Sequence, residues 1–253
     1  MPSTAPTDDD IRAVIVTGSG RAFCAGADLS SGGGSFDLSE LAPGGKSANA
    51  WGMVTDDRGR EAPADLGGLV VLRIHRSLKP VIAAINGSAV GVGITMTLPM
   101  DVRICSEASK IGLVFNRRGI SIDGAASWFL PRVVGIGRAL EWVDTGRVFR
   151  APEALAAGLV SEVLPDDQVV ARAEEIAAEI VDNCAPVSVA VSRRLLWDAM
   201  ADSDPFAGHA RESAALYARG RSADVRAGIS VPVQVRLREF VDRVSTSDEV
   251  IRP

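Results

Sequence analysis

The sequence predicts an α/β fold with mostly parallel strands, followed by a helical C-terminal third. Three observations lead there. Short β-branched runs recur along the first part of the chain, segments of helical character separate them, and beyond about Ala151 helix patterns dominate.

In chain order, the first run is Ala13-Val14-Ile15-Val16-Thr17, closed by Gly18-Ser19-Gly20. Its near-continuous apolar character predicts a strand buried on both faces. Residues 30–65 then turn loop-like, with Gly32-Gly33-Gly34, Pro43-Gly44-Gly45 and Asp56-Asp57-Arg58-Gly59. So long an irregular stretch inside a domain predicts a lid or mobile loop. Residues 66–78 predict a helix stopped at Lys79-Pro80, and Val81-Ile82-Ala83-Ala84-Ile85 a second buried strand ending at Asn86-Gly87. Gly91-Val92-Gly93 leads into a short apolar helix over 94–98. Strands are expected at 102–105 and 111–114, and helices beginning at Gly124 and spanning 137–145.

The last third predicts helices over 152–157, 166–182, 186–200 and 205–219, several with proline in the first turn, and one strand at 159–163. Apolar faces in 187–196 and 231–244 require a partner surface, either the core or another subunit. The expected division is a core at 1–185 and a helical region at 186–253 that serves oligomerisation.

Composition narrows the function classes. Of 253 residues, 47% are hydrophobic and 23% charged, ample for a globular core. Net charge is −5 and the arginines are scattered, which argues against a nucleic-acid surface. Cys24, Cys105 and Cys184 have no metal-like spacing, and His75 and His209 are the only histidines, so neither a disulfide framework nor a structural metal is expected. Residues 1–10 are polar and acidic, without a basic start and apolar stretch, and no run approaches membrane-spanning length. The expectation is a cytoplasmic protein with no membrane or nucleic-acid partner.

Two nucleotide motifs are near misses. Gly18-Ser19-Gly20-Arg21-Ala22-Phe23 has phenylalanine where a dinucleotide fingerprint needs its third glycine. Gly45-Lys46-Ser47 imitates a phosphate loop, but Glu40 stands at its first glycine. A serine hydrolase is poorly supported, since no Gly-x-Ser-x-Gly elbow occurs.

A longer constellation holds. Arg21-Ala22-Phe23-Cys24-Ala25-Gly26-Ala27-Asp28-Leu29 is followed by Lys79-Pro80-Val81-Ile82-Ala83-Ala84-Ile85-Asn86-Gly87-Ser88-Ala89-Val90-Gly91-Val92-Gly93. Then come Gly119, Leu130-Pro131-Arg132-Val133-Val134-Gly135, Thr145-Gly146-Arg147-Val148-Phe149 and 154–164 with Gly158-Leu159-Val160. In these ordered segments the chain resembles the enoyl-CoA hydratase/isomerase (crotonase) superfamily. The resemblance implies a crotonase-like spiral of ββα units with a helical C-terminal region, assembled as a homotrimer or hexamer. It implies an acyl-CoA substrate whose thioester oxyanion sits between two backbone N–H groups, here those of Ala27 and Val92. Ala25, Ala27, Asp28 and Leu29 would lie along the coenzyme A thioester, which is part of the substrate, so no separate cofactor is expected. Relatives commonly have glycine at the position of Val92; valine keeps the N–H but narrows the pocket above it. The same glycines also suit tight strand-to-helix turns.

Hydratases of that family carry two glutamates, and the matching positions here are Thr95 and Phe115. Neither exchanges a proton as a carboxylate does, so hydration is doubtful. Asp123 matches an aspartate that faces the acyl group in enoyl-CoA isomerases and 4-chlorobenzoyl-CoA dehalogenase. The expectation is that Asp123 shuttles a proton between C2 and C4 of a 3-enoyl thioester; the competing reading is a helix cap at Gly124. A hydratase using Asp28 or Glu141, or a non-catalytic acyl-CoA-binding protein, are the alternatives. Glu141 and Asp144 otherwise read as solvated or paired, Asp101 and Glu107 as structural, Cys24 as packing beside the oxyanion loop and His75 as a surface residue. Arg58, Arg60, Arg73 and Lys79 are candidates for the coenzyme A phosphates, with ordinary solvated charge the alternative. Relatives usually begin with a strand pair and a helix ahead of the segment matching 11–17; either this sequence starts late or that portion is missing, and in the second case a sheet edge is expected to need covering.

Overall fold

Residues 8–30, 52–230 and 240–247 are described by the computed structural model. The expected features at 31–51, including Gly45-Lys46-Ser47, and at 231–239 lie outside the described residues. Two compact units form: Val16–Arg76 with Ala83–Ala171, and Met1–Ile15 with Ser77–Ile82 and Arg172–Pro253.

The first of these carries most of the strands. The strands are β1 (Val14–Thr17), β2 (Ala22–Cys24), β3 (Met53–Thr55), β4 (Glu61–Pro63), β5 (Val81–Ile85), β6 (Ser88–Val90), β7 (Val102–Ser106), β8 (Lys110–Gly112), β9 (Val148–Arg150) and β10 (Glu162–Leu164). One sheet has the order β1-β5-β7-β10, a second β2-β6-β8-β9, and β3 pairs with β4 alone. β5 is buried at every position, as its unbroken apolar run requires. β1 was expected to be buried on both faces. Its residues are instead half-buried and Thr17 is exposed, because β1 is at the edge of its sheet.

Within the predicted loop at 30–65, β3 and β4 make an antiparallel hairpin with Met53 opposite Pro63. Asp56 closes its turn by accepting from the backbone N–H of Arg58 and Arg60. The strand expected at 159–163 lies further on, at Glu162–Leu164, parallel to β7. The N–H of Leu159 is committed to Ala154 O, so the chain is still closing the preceding helix where the strand was expected.

Helices α1 (Leu66–His75), α2 (Val92–Thr95), α3 (Ala126–Val134), α4 (Ile136–Thr145) and α5 (Ala151–Ala156) belong to this unit. Trp142 of α4, fully buried, stacks on Phe149 at 4.0 Å and donates its indole N–H to Glu153 at 2.8 Å. Arg103 on β7 gathers the carbonyls of Met100 and Leu159. Burial lowers its pKa to about 10, so it remains a cation at neutral pH and ties down the turns beyond α2.

The other unit holds α6 (Val169–Asn183) from Arg172 onward, α7 (Pro186–Ala199), α8 (Pro205–Arg219) and α9 (Ala223–Ser230). The apolar face expected on 187–196 finds its partner here: Val187, Ala190 and Val191 pack with Val244, and Leu78 and Leu195 cover them. Arg193 donates to Ser77 O at 2.7 Å. Lys79, a candidate for phosphate contact, is buried with 3% of its surface exposed. Among the described residues no helix is long and apolar enough to cross a membrane.

Candidate active site

Parallel pairing decides which loops meet. β2 pairs with β6 and β6 with β8, all in parallel, so the three carboxyl ends lie at one edge of the sheet. Ligand crevices form outside such ends. The segments leaving them are Ala25–Gly26–Ala27, Gly91–Val92 and Val114–Phe115, and all three line one cleft, together with Leu29, Arg118, Ile120 and Asp123. The cleft encloses about 490 Å³ of empty space, part of it open to solvent, and its wall is mostly apolar.

Val92 is the first residue of α2, where backbone N–H groups lack intrahelical acceptors. Ala27 lines the same cleft, three residues beyond Cys24, where the β2–β6 pairing ends against Ala89. Cys24 packs against α2, since a side chain at Gly93 would meet its Cβ at 2.9 Å.

Asp123 reaches the cleft through an unusual backbone path. Gly124 and Ala125 both take positive φ, +63° and +52°, before α3 begins at Ala126. The left-handed region costs little at glycine but is strained at alanine, and such strain clusters where a neighbouring side chain must be aimed. The helix-cap reading of Asp123 does not hold: α3 has Ala125 at its cap position and no side-chain cap bond. The Asp123 carboxylate instead accepts from the Thr95 hydroxyl at 3.2 Å. Burial raises its pKa, the Thr95 bond opposes this, and the charge of Asp65 raises it further.

Sequence reasoning missed Asp65. It caps α1 by accepting from Gly68 N, a role that its place before the apolar run 66–72 signals. Its approach to Asp123 was not legible. A side chain at Gly67 would meet Asp65 Oδ1 at 3.2 Å, Asp123 Oδ2 at 3.7 Å and Val92 Cγ2 at 3.0 Å, so both carboxylates lie near that glycine, close enough for the Asp65 charge to act on Asp123.

The other candidates lie elsewhere. Asp28 is exposed and accepts from Ser30 N at 2.9 Å. Glu141 is paired, as expected, with Arg138 and Arg147. Arg58 and Arg60 are exposed on the β3–β4 hairpin and Arg73 on α1. His75 was expected at the surface; it is half-buried, because the Trp128 and Phe129 rings of α3 pack against it, the Phe129 ring edge-on at 5.4 Å. Burial pushes the Cys105 thiol up to about 12, which leaves it inert.

The raised pKa of Asp123 gives a signed prediction. Between the ordinary aspartate value of 3.8 and the raised one, the folded protein holds a proton that the unfolded chain has lost, so stability falls as pH rises. Thermal midpoints of wild type and Asp123→Asn should therefore separate across the acidic range, wild type losing ground as pH increases. Parallel curves would mean that Asp123 titrates as an exposed carboxylate.

Comparison with known proteins adds independent findings. The family model described as Enoyl-CoA hydratase/isomerase matches residues 68–241. The enoyl-CoA hydratase ACTT3 of Alternaria alternata is 40% identical over 241 residues, covering 95% of this chain and 74% of that protein. The 1,2-epoxyphenylacetyl-CoA isomerase of Escherichia coli (strain K12) is 30% identical over 237 residues, covering 93% and 83%. Among solved structures, a probable enoyl-CoA hydratase/isomerase from Mycobacterium abscessus superposes with a TM-score of 0.70 at 32% identity, covering 89% of this chain and 78% of its own.

Proposed function

The chain belongs to the enoyl-CoA hydratase/isomerase family, and from that premise we propose that it isomerises the double bond of an acyl-CoA thioester with Asp123 as its single acid/base. The observation that carries this reading is the cleft itself. Among the described residues, Asp123 is the carboxylate that lines it, together with Ala27 and Val92. Thr95 and Phe115 occupy the positions where the family's hydratases have glutamates.

The chemistry follows from these groups. Asp123 takes a proton from C2 of a 3-enoyl thioester; the electrons move onto the thioester oxygen, giving a dienolate. The backbone N–H groups of Ala27 and Val92 hold that oxygen, and each such donor is worth about 3–4 kcal/mol in comparable sites. Asp123 then returns the proton at C4, leaving the double bond between C2 and C3. One base suffices, because the proton taken is the proton given. Burial in a cleft whose wall includes Phe115 and Ile120 raises the basicity of Asp123 above that of an exposed aspartate. Coenzyme A arrives and leaves as part of the substrate.

Hydration is the second reading, favoured by the 40% identical relative named as a hydratase and by the second carboxylate, Asp65, near Asp123. The two are separated by offering a 3-enoyl-CoA and crotonyl-CoA to the wild-type protein. Isomerisation without hydration is the expected result. Hydration of crotonyl-CoA at a comparable rate would overturn the single-carboxylate reading, and silence on both with tight thioester binding would leave an acyl-CoA-binding protein.

A further inference from the structure

Thr95 has no exposed surface, and its hydroxyl is bonded to Asp123 Oδ1 at 3.2 Å. It closes α2, the helix whose first residue, Val92, lines the cleft. The segment after Asp123 rests directly on it: a side chain at Gly124 would come within 2.9 Å of Thr95 Oγ1 and 3.3 Å of Val71 Cγ2. One short helix therefore lines the cleft with its first residue, Val92, and holds the cleft's carboxylate with its last, Thr95.

We infer that Thr95 is a positioning residue: its hydroxyl holds one Asp123 oxygen and so presents the other, Oδ2, to the substrate at a fixed distance from Val92. This rests on the reading of Asp123 as the acid/base. Oδ2 is the oxygen that lies toward Gly67: a side chain there would come within 3.7 Å of it and within 3.0 Å of Val92 Cγ2. A carboxylate held at one oxygen loses the rotation that would otherwise spread its basic lone pairs over several directions, and proton transfer depends steeply on such alignment. The hydroxyl also favours the ionised form, against the burial and the Asp65 charge that oppose it. Among the described residues, the charge that acts on Asp123 is Asp65 at the start of α1, and Arg118 lines the same cleft.

Thr95→Val removes the hydroxyl and keeps the shape; Thr95→Ser keeps the hydroxyl. The valine variant should lose about tenfold or more in kcat, with thioester affinity little changed. The acid limb of its kcat/KM profile should move to higher pH, and serine should restore both. Independently of turnover, the Asp123 carboxyl band in isotope-edited infrared spectra, assigned by its absence in Asp123→Asn, should titrate at higher pH in the valine variant than in wild type. Failure of that shift would overturn the positioning role even if the isomerase reading stands. An infrared shift in a protein whose Asp123→Asn variant turns over normally would instead sink the acid/base reading. If serine were as impaired as valine, Thr95 would be acting by packing alone, and the inference would fall.

Discussion

Asp123→Asn should lose about 10²–10⁴-fold in isomerase turnover, the usual contribution of a positioned acid/base group, while binding the thioester with affinity close to wild type. Asparagine matches aspartate in size, and its amide oxygen can still accept from Thr95, so the path through Gly124 and Ala125 need not move. What disappears is the capacity to hold a proton between C2 and C4. Turnover and binding must be measured on the same preparation with a 3-enoyl-CoA and a non-reactive acyl-CoA. Retained turnover would remove Asp123 from the chemistry, and loss of both turnover and binding would show that the substitution collapsed the cleft. Because the folded acid has a raised pKa, wild-type kcat/KM should climb with pH through a point above the ordinary carboxylate range.

The second large effect is expected at Gly93. A methyl group there would overlap the backbone carbonyl oxygen of Cys24 and stand 3.0 Å from its carbonyl carbon. Backbone cannot swing aside as a side chain can, so Gly93→Ala must push β2 away from β6 or rotate α2. Either movement displaces the cleft, since Ala27 follows β2 and Val92 opens α2. Overpacking of this kind costs about 1–3 kcal/mol in stability. Displacing one oxyanion donor removes about 10²–10³ in kcat. Gly137→Ala is the control, because nothing lies within 4 Å of the added methyl and α4 gains helix propensity there. Denaturant unfolding and 3-enoyl-CoA turnover of both variants would decide it. A Gly93→Ala protein as stable and active as the Gly137→Ala control would contradict the proposed oxyanion geometry.

Much of the fold was legible because its cues are local. The unbroken run Val81–Ile85 reads as a buried strand and is one, and Pro205 opens α8, which ends at Arg219, as its pattern predicts. The errors fall where a non-local partner decided the outcome. β1 is half-buried because of its place in the sheet order, and the β3–β4 hairpin arose in a stretch whose glycines and prolines suggested only loop. His75 was assigned to the surface on its position at a helix end, whereas Trp128 and Phe129 pack against it from α3.

The sequence by itself determined the α/β class, the family and the residue types at the cleft, because ordered motifs and apolar periods are written along one dimension. It could not decide between a cap and a cleft carboxylate for Asp123, since both readings satisfy the same local pattern. That choice belongs to the tertiary structure: two left-handed residues turn Asp123 away from its helix, the parallel order β2-β6-β8 brings three loop segments to one edge, and Gly67 leaves room for the Asp65 and Asp123 carboxylates beside it. Each depends on distances between segments far apart in the chain, which packing sets and local propensity does not.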